Sequence, residues 1–208
     1  MNFQSSFLTT EQINLEVEIF FHQYNPAMSI PVPIEEIIDI KLQMDIIPIP
    51  GLKDSFIKAG LDIDAFISSD FKSITVDKFM YNPNKTNVRY QFSLAHEIGH
   101  MVLHKHLFNE LKFNNCDDWI RMINELPQKE LKRVEWQASE FAGLLLVPRK
   151  ILKNVFRKAI KDTEKLLDSK YEKRKDFILE TAIECYIAPK FNVAKYTAKI
   201  RIERDGLA

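Results

Sequence analysis

The chain has 208 residues, with 29 Lys+Arg balanced by 29 Asp+Glu, 46% hydrophobic and 28% charged residues. That length suits one generous domain or a domain with a small appendage, and the apolar fraction is enough for a real core. No window reaches 18 apolar residues and the Met1-Asn2-Phe3-Gln4 start has neither a basic n-region nor an apolar h-region, so a cytoplasmic protein without membrane contact is expected. Cys116 and Cys185 stand alone, outside any C-x-x-C pair, and read as reduced thiols. Residues 1–100 carry seven Lys/Arg against thirteen Asp/Glu and residues 101–208 twenty-two against sixteen, so the basic character sits in the second half.

In chain order, Thr9-Thr10-Glu11-Gln12 is an N-cap signal, and Ile13, Val17, Phe20, Phe21 and Tyr24 recur at helical spacing until Pro26. Pro31-Val32-Pro33 forms a stiff connector into a second helix through Ile34, Ile37, Ile38 and Leu42. Met44 to Ile49 reads as an edge strand, β-branched and interrupted by proline. Ala65–Ser68 and Ser73–Val76 follow as a strand pair joined by Ser69 to Lys72, and Tyr81 to Lys85 is a turn cluster. Phe113 to Trp119 reads as a loop, and Pro127 starts a long helix that runs to Pro148. Beyond it, Arg149 to Lys175 holds eleven basic residues against four acidic ones at helical spacing. Phe177 to Tyr186, a break near Pro189, and Val193 to Arg204 then have the spacing of a small helix-turn-helix-like unit, which could contact DNA or brace the rest of the chain.

The chemistry concentrates in Tyr90 to His104, a helical stretch containing H-E-x-x-H. On a helix, His96 and His100 stack one turn apart and can offer ring nitrogens to a single ion. Glu97 follows the first ligand, and in the mechanics of this motif its carboxylate acts as general base toward the attacking water. Phe92, Leu94, Ala95, Ile98, Met101, Val102 and Leu103 make the helix apolar around most of its circumference, and a buried helix rarely carries two His and a Glu without partners. A catalytic zinc needs a third protein ligand, and Glu135 and Glu140 enter the helix after Pro127. Glu135 shares a face with Ala138, Ser139 and Ala142, whose small side chains permit close helix approach; spacing favours it while leaving Glu140 open.

Two blocks together, Arg89 to His100 and Glu135 to Pro148, resemble the ImmA/IrrE family of metallopeptidases, whose patterns are L-A-H-E-x-G-H and E-x-x-A-N-x-F-A-x-x-L-L-x-P. The resemblance takes in most of residues 28–148 and, more loosely, the tail from Ile187 to Leu207. It implies an α+β, zincin-like metallopeptidase core with a small β-sheet over residues 1–148, followed by a helical, helix-turn-helix-like module over 149–208. It also implies Zn2+ bound by His96, His100 and Glu135, with Glu97 as the catalytic base. Ser139 departs from the family's usual Asn or Asp, one turn after the third ligand, where a side chain would suit a hydrogen bond to a metal-binding histidine.

Family likeness further implies site-specific cleavage of a repressor protein of the helix-turn-helix type, relieving repression of mobile-element or stress-response genes. Tyr81, Arg89 and His104 are the candidates for stabilising the oxyanion. The competing expectation is a non-catalytic metal-binding or DNA-binding regulator acting by protein contact. Such a site would be closed by a fourth protein ligand such as Cys116, His104 or His106.

Overall fold

The computed structural model describes residues 5–81, 87–108, 113, 116–166 and 175–208. The fold is α+β, mostly helical with one three-stranded sheet. The first helix, α1 (Thr10–Tyr24), starts at a capping box: Thr9 Oγ1 accepts from Gln12 N–H at 3.3 Å, and Gln12 Oε1 accepts from Thr9 N–H at 2.9 Å. Its buried stripe is Ile13, Val17, Phe20 and Phe21. A short helix α2 (Ile34–Glu36) opens directly into a π-helical turn (Ile37–Lys41), which buries Ile37 and Ile38.

Strand β1 (Asp45–Ile49) lies at one edge of the sheet, parallel to β3 (Ser73–Asp77), and β2 (Ala65–Ile67) lies at the other edge, antiparallel to β3. Between them α3 (Leu52–Lys58), absent from the sequence reading, starts at Gly51, whose φ of 70° falls in the left-handed region that glycine occupies without strain. Ser68 N–H bonds to Ser73 O and Asp77 N–H to Asp64 O, each at 2.9 Å. Alternation along an antiparallel ladder then makes Phe66–Thr75 another bonded pair and turns the main-chain groups of Ala65 and Ile67 to the free edge.

The remaining elements are helical: α4 (Val88–Leu103), α5 (Lys105–Phe108), α6 (Cys116–Glu125), α7 (Gln128–Leu146), α8 (Arg149–Leu166), α9 (Lys175–Ala182), a π-helical turn (Ile183–Ile187), α10 (Ala188–Phe191) and α11 (Lys195–Arg204). Helix α4 begins where the Asn87 side chain accepts from the N–H groups of Arg89 and Tyr90 at 3.0 and 3.3 Å. Helix α7 follows Pro127, as the proline position implies. One core runs from α1 and the sheet through α4 and α7 to Leu152, Ile183, Phe191 and Ile202 of the C-terminal helices. A second cluster joins Leu52, Phe56 and Phe66 to Trp119, Ile123 and Val134.

Two local expectations are corrected. The stretch read as a loop before Trp119 enters α6, because Trp119 and Ile123 stand one turn apart and bury against Phe56 and Phe66, while the acidic pair Asp117 and Asp118 suits a helix's first turn. The break near Pro189 falls instead at Asn192, whose φ is 53°; Pro189 sits in the first turn of α10, where its missing N–H costs nothing. The turn cluster at Asn82 to Lys85 and the end of the basic stretch, 167–174, lie outside the described residues.

Candidate metal centre

Helices α4 and α7 pack at a contact that admits almost no side chain. A Cβ built on Gly99 would stand 3.0 Å from both Cα and O of Ala138. The small residues on that face of α7 therefore let the helix backbones approach closely, which brings Glu135 over the histidines of α4. His96 Nε2 and His100 Nε2 lie 3.0 Å apart, Glu135 Oε2 is 3.1 Å from His96 Nε2, and Glu135 Oε1 is 3.5 Å from His100 Nε2. Ligand atoms about 2.0–2.2 Å from a shared tetrahedral ion stand roughly 3.3 Å from one another, so this donor set fits one small divalent cation. Ligand-type atoms of His96, Glu97 and His100 all lie within 4.8 Å of one another, and neither Cys116 nor His106 joins that cluster among the described residues.

The opposite ring nitrogens are anchored. His96 Nδ1 is 3.3 Å from Ser139 Oγ, so the short serine reaches the ring nitrogen opposite the Glu135 contact from one turn beyond Glu135. His100 Nδ1 is 3.2 Å from His104 Nδ1, and His104 Nε2 is 2.8 Å from Gln137 Oε1. Gln137 Nε2 in turn donates to Ser6 O at 2.8 Å. His104 is 1% exposed and belongs to this buried chain, so it faces away from the cavity. Glu140 does not approach the histidines: its buried carboxylate pairs with Arg201 at 2.9 Å and with Arg204. Helical spacing leaves Glu135 and Glu140 both open, and the partners of Glu140 separate them.

Glu97 is buried, and its Oε2 accepts from Ile67 N–H at 2.9 Å, a contact made by the free edge of β2. Burial pushes its carboxyl up to about 8, aided by the Glu135 charge and opposed by His96 and the Ile67 N–H. Burial works the same way on Glu135, but His100 and His96 outweigh it and hold the carboxyl down at about 2. Desolvation drives His100 well below the ordinary imidazole value and His104 down to about 4. His96 is also opposed by burial, yet its hydrogen bond to Glu135 raises it.

The histidines, Glu97 and Glu135 open into a cavity of about 290 Å³ whose walls include Ala65, Phe92, Trp119 and Val134. Its rim carries Asp62 and Asp64, which are tied to Lys53 and Arg89 by ion pairs. Arg89 is engaged there, and Tyr81 packs edge-on against Tyr90; neither lines the cavity. The Ile67 amide and the Ser6 carbonyl are main-chain groups and leave no mark in the sequence. Gln137 leaves one, as a polar residue within an increasingly apolar helix.

Residues 78–203, more than half of the chain, match the family model described as the IrrE N-terminal-like domain, Peptidase_M78. A stretch of 77 residues is 38% identical to metallopeptidase ImmA of Bacillus subtilis (strain 168), covering 36% of this chain and 38% of that relative's length. The family match contains both helices that carry the clustered side chains. The chain therefore belongs to the IrrE N-terminal-like family of metallopeptidases.

Proposed function

We propose that the protein is a zinc-dependent endopeptidase of the cytoplasm that cleaves a helix-turn-helix repressor at one site. The observation that carries the reading is the convergence of two histidine Nε2 atoms and the Glu135 carboxylate beside a buried Glu97, on a cavity wall. A zinc ion bound by His96, His100 and Glu135 would supply Lewis acidity to a scissile carbonyl and acidify an attacking water. Glu97 takes the water's proton and later delivers it to the leaving amine. Burial raises the proton affinity of Glu97, and a bound cation beside it would lower that affinity toward the base form. Ile67 N–H holds one oxygen of Glu97 and so fixes the carboxylate plane.

Substrate docking finds support in the same strand. Ala65 directs its N–H and C=O to the free edge of β2 and lines the cavity, so an extended segment can pair there with little dependence on its sequence. Direct DNA contact by the C-terminal helices has less support. Arg149, Arg201 and Arg204 pair with Asp205 and Glu140, and Lys195 and Lys199 pair with Glu180, so much of that basic charge is met within the chain.

The test is co-expression with a helix-turn-helix repressor whose gene adjoins this one. Discrete cleavage is expected with the wild type, and Glu97→Gln is expected to slow it by roughly 100- to 10,000-fold while zinc stays bound. A repressor that remains whole with the wild type, or cleavage that survives Glu97→Gln, rejects the proposal.

A further inference from the structure

The chain of buried contacts behind His100 has a direction that follows from which atoms can donate. Ser6 O is a carbonyl and can only accept, so the Gln137 amide must turn its NH2 toward it and its Oε1 toward His104. Oε1 can only accept, so His104 carries its proton on Nε2. His104 is 1% exposed and no described carboxylate bonds to it, which leaves the ring neutral and its Nδ1 a lone pair. His100 must then donate from Nδ1, and its own lone pair falls on Nε2, the atom 3.0 Å from His96 Nε2. That tautomer is the one able to ligate an ion at the observed place. The source of the chain is itself held: Ser5 N–H and Oγ both donate to Glu130 Oε2 at 2.8 Å, and Arg133 donates to Ser5 O at 2.7 Å.

We propose that His104 and Gln137 are positioning residues that transmit the orientation of the Ser6 carbonyl to His100, so that the segment preceding α1, latched to α7 through Glu130 and Arg133, sets the metal affinity of the site. The inference rests on the metallopeptidase reading, since it assumes that His100 Nε2 is a ligand. His96 depends instead on Ser139, within the α4–α7 pair. Half of the histidine pair is therefore tied to the N-terminal segment and half is not.

The test titrates the metal-free full-length protein with Zn(II) against a chelating dye and follows thermal melting in parallel. His104→Leu and Gln137→Leu are expected to weaken zinc binding about 10- to 100-fold. His104→Asn, whose Oδ1 can accept in place of Nδ1, is expected to restore most of the loss. Glu130→Ala with Arg133→Met, which touches no group of the site, is expected to weaken binding in the same direction. Long-range 15N correlation spectra of the metal-free wild type are expected to show His100 protonated on Nδ1, a readout independent of whether the leucine variants fold. Unchanged zinc affinity in folded His104→Leu, or a His100 proton on Nε2 in the wild type, overturns the relay while leaving the metal site standing. A wild type that binds no zinc overturns the metallopeptidase reading itself.

Discussion

At the residue scale, the site consists of polar groups that are affordable in a buried helix because each has an assigned partner. Ser139 is the shortest side chain that can reach His96 Nδ1, and its 3.3 Å contact is long for an O–H or N–H bond. Ser139→Ala is expected to lower zinc affinity by about 10-fold, and Ser139→Asn to raise or keep it, read by the same dye competition. His104 also makes the metal-free protein sensitive to acid. Its folded-state value is lowered to about 4 from an ordinary 6.5, so between those values the unfolded chain binds the extra proton more readily. The contribution is complete above about 6.5 and is lost as pH falls toward about 4, a change on the order of 3 kcal/mol. Urea unfolding in the presence of a chelator should show that loss, and His104→Gln should flatten it.

At the element scale, the helix pair α4–α7 is the unit that makes the site. Its register is set where Gly99 meets the Ala138 backbone, so a methyl group there must push the helices apart. Gly99→Ala is expected to cost about 1–3 kcal/mol in denaturant unfolding and to weaken zinc binding, because the displaced α7 carries Glu135. A variant that keeps both stability and zinc affinity would show that the contact does not set the ligand spacing. Helix α6 closes the cavity from the other side through Trp119, which lies 5.3 Å from Phe56 and 5.6 Å from Phe66 between ring centroids.

For the whole molecule, the C-terminal helices are fastened to α7 through buried charge. Arg201 and Glu140 are each 1% exposed in their side chains and form an ion pair at 2.9 Å, while Arg204 approaches the other Glu140 oxygen. Arg201 also meets Asp205 at 2.5 Å, and Arg149 meets the same carboxylate at 3.0 Å. Removing one buried partner strands the other, so Glu140→Leu is expected to destabilise the protein by about 3 kcal/mol. Glu140→Leu with Arg201→Leu is expected to cost less than the sum of the two single changes. A chemical-denaturation double-mutant cycle measures this, and additive losses would mean the pair is not coupled.

Local periodicity determined much of this protein without help from the fold. The four-residue interval between His96 and His100, the capping signal at Thr9, the start of α7 after Pro127 and the shared face of Glu135 and Ala138 all follow from helix geometry, which depends on neighbours in sequence. The tertiary structure decided what depends on distant segments. It put Arg201 and Arg204 on Glu140, leaving Glu135 to face the histidines. It gave Trp119 and Ile123 a surface to bury against, turning an apparent loop into α6. It also brought the Ile67 amide to Glu97 and the Ser6 carbonyl to Gln137. Main-chain donors and acceptors are the same in every residue, so only the folded path of the chain can show which of them a buried side chain will meet.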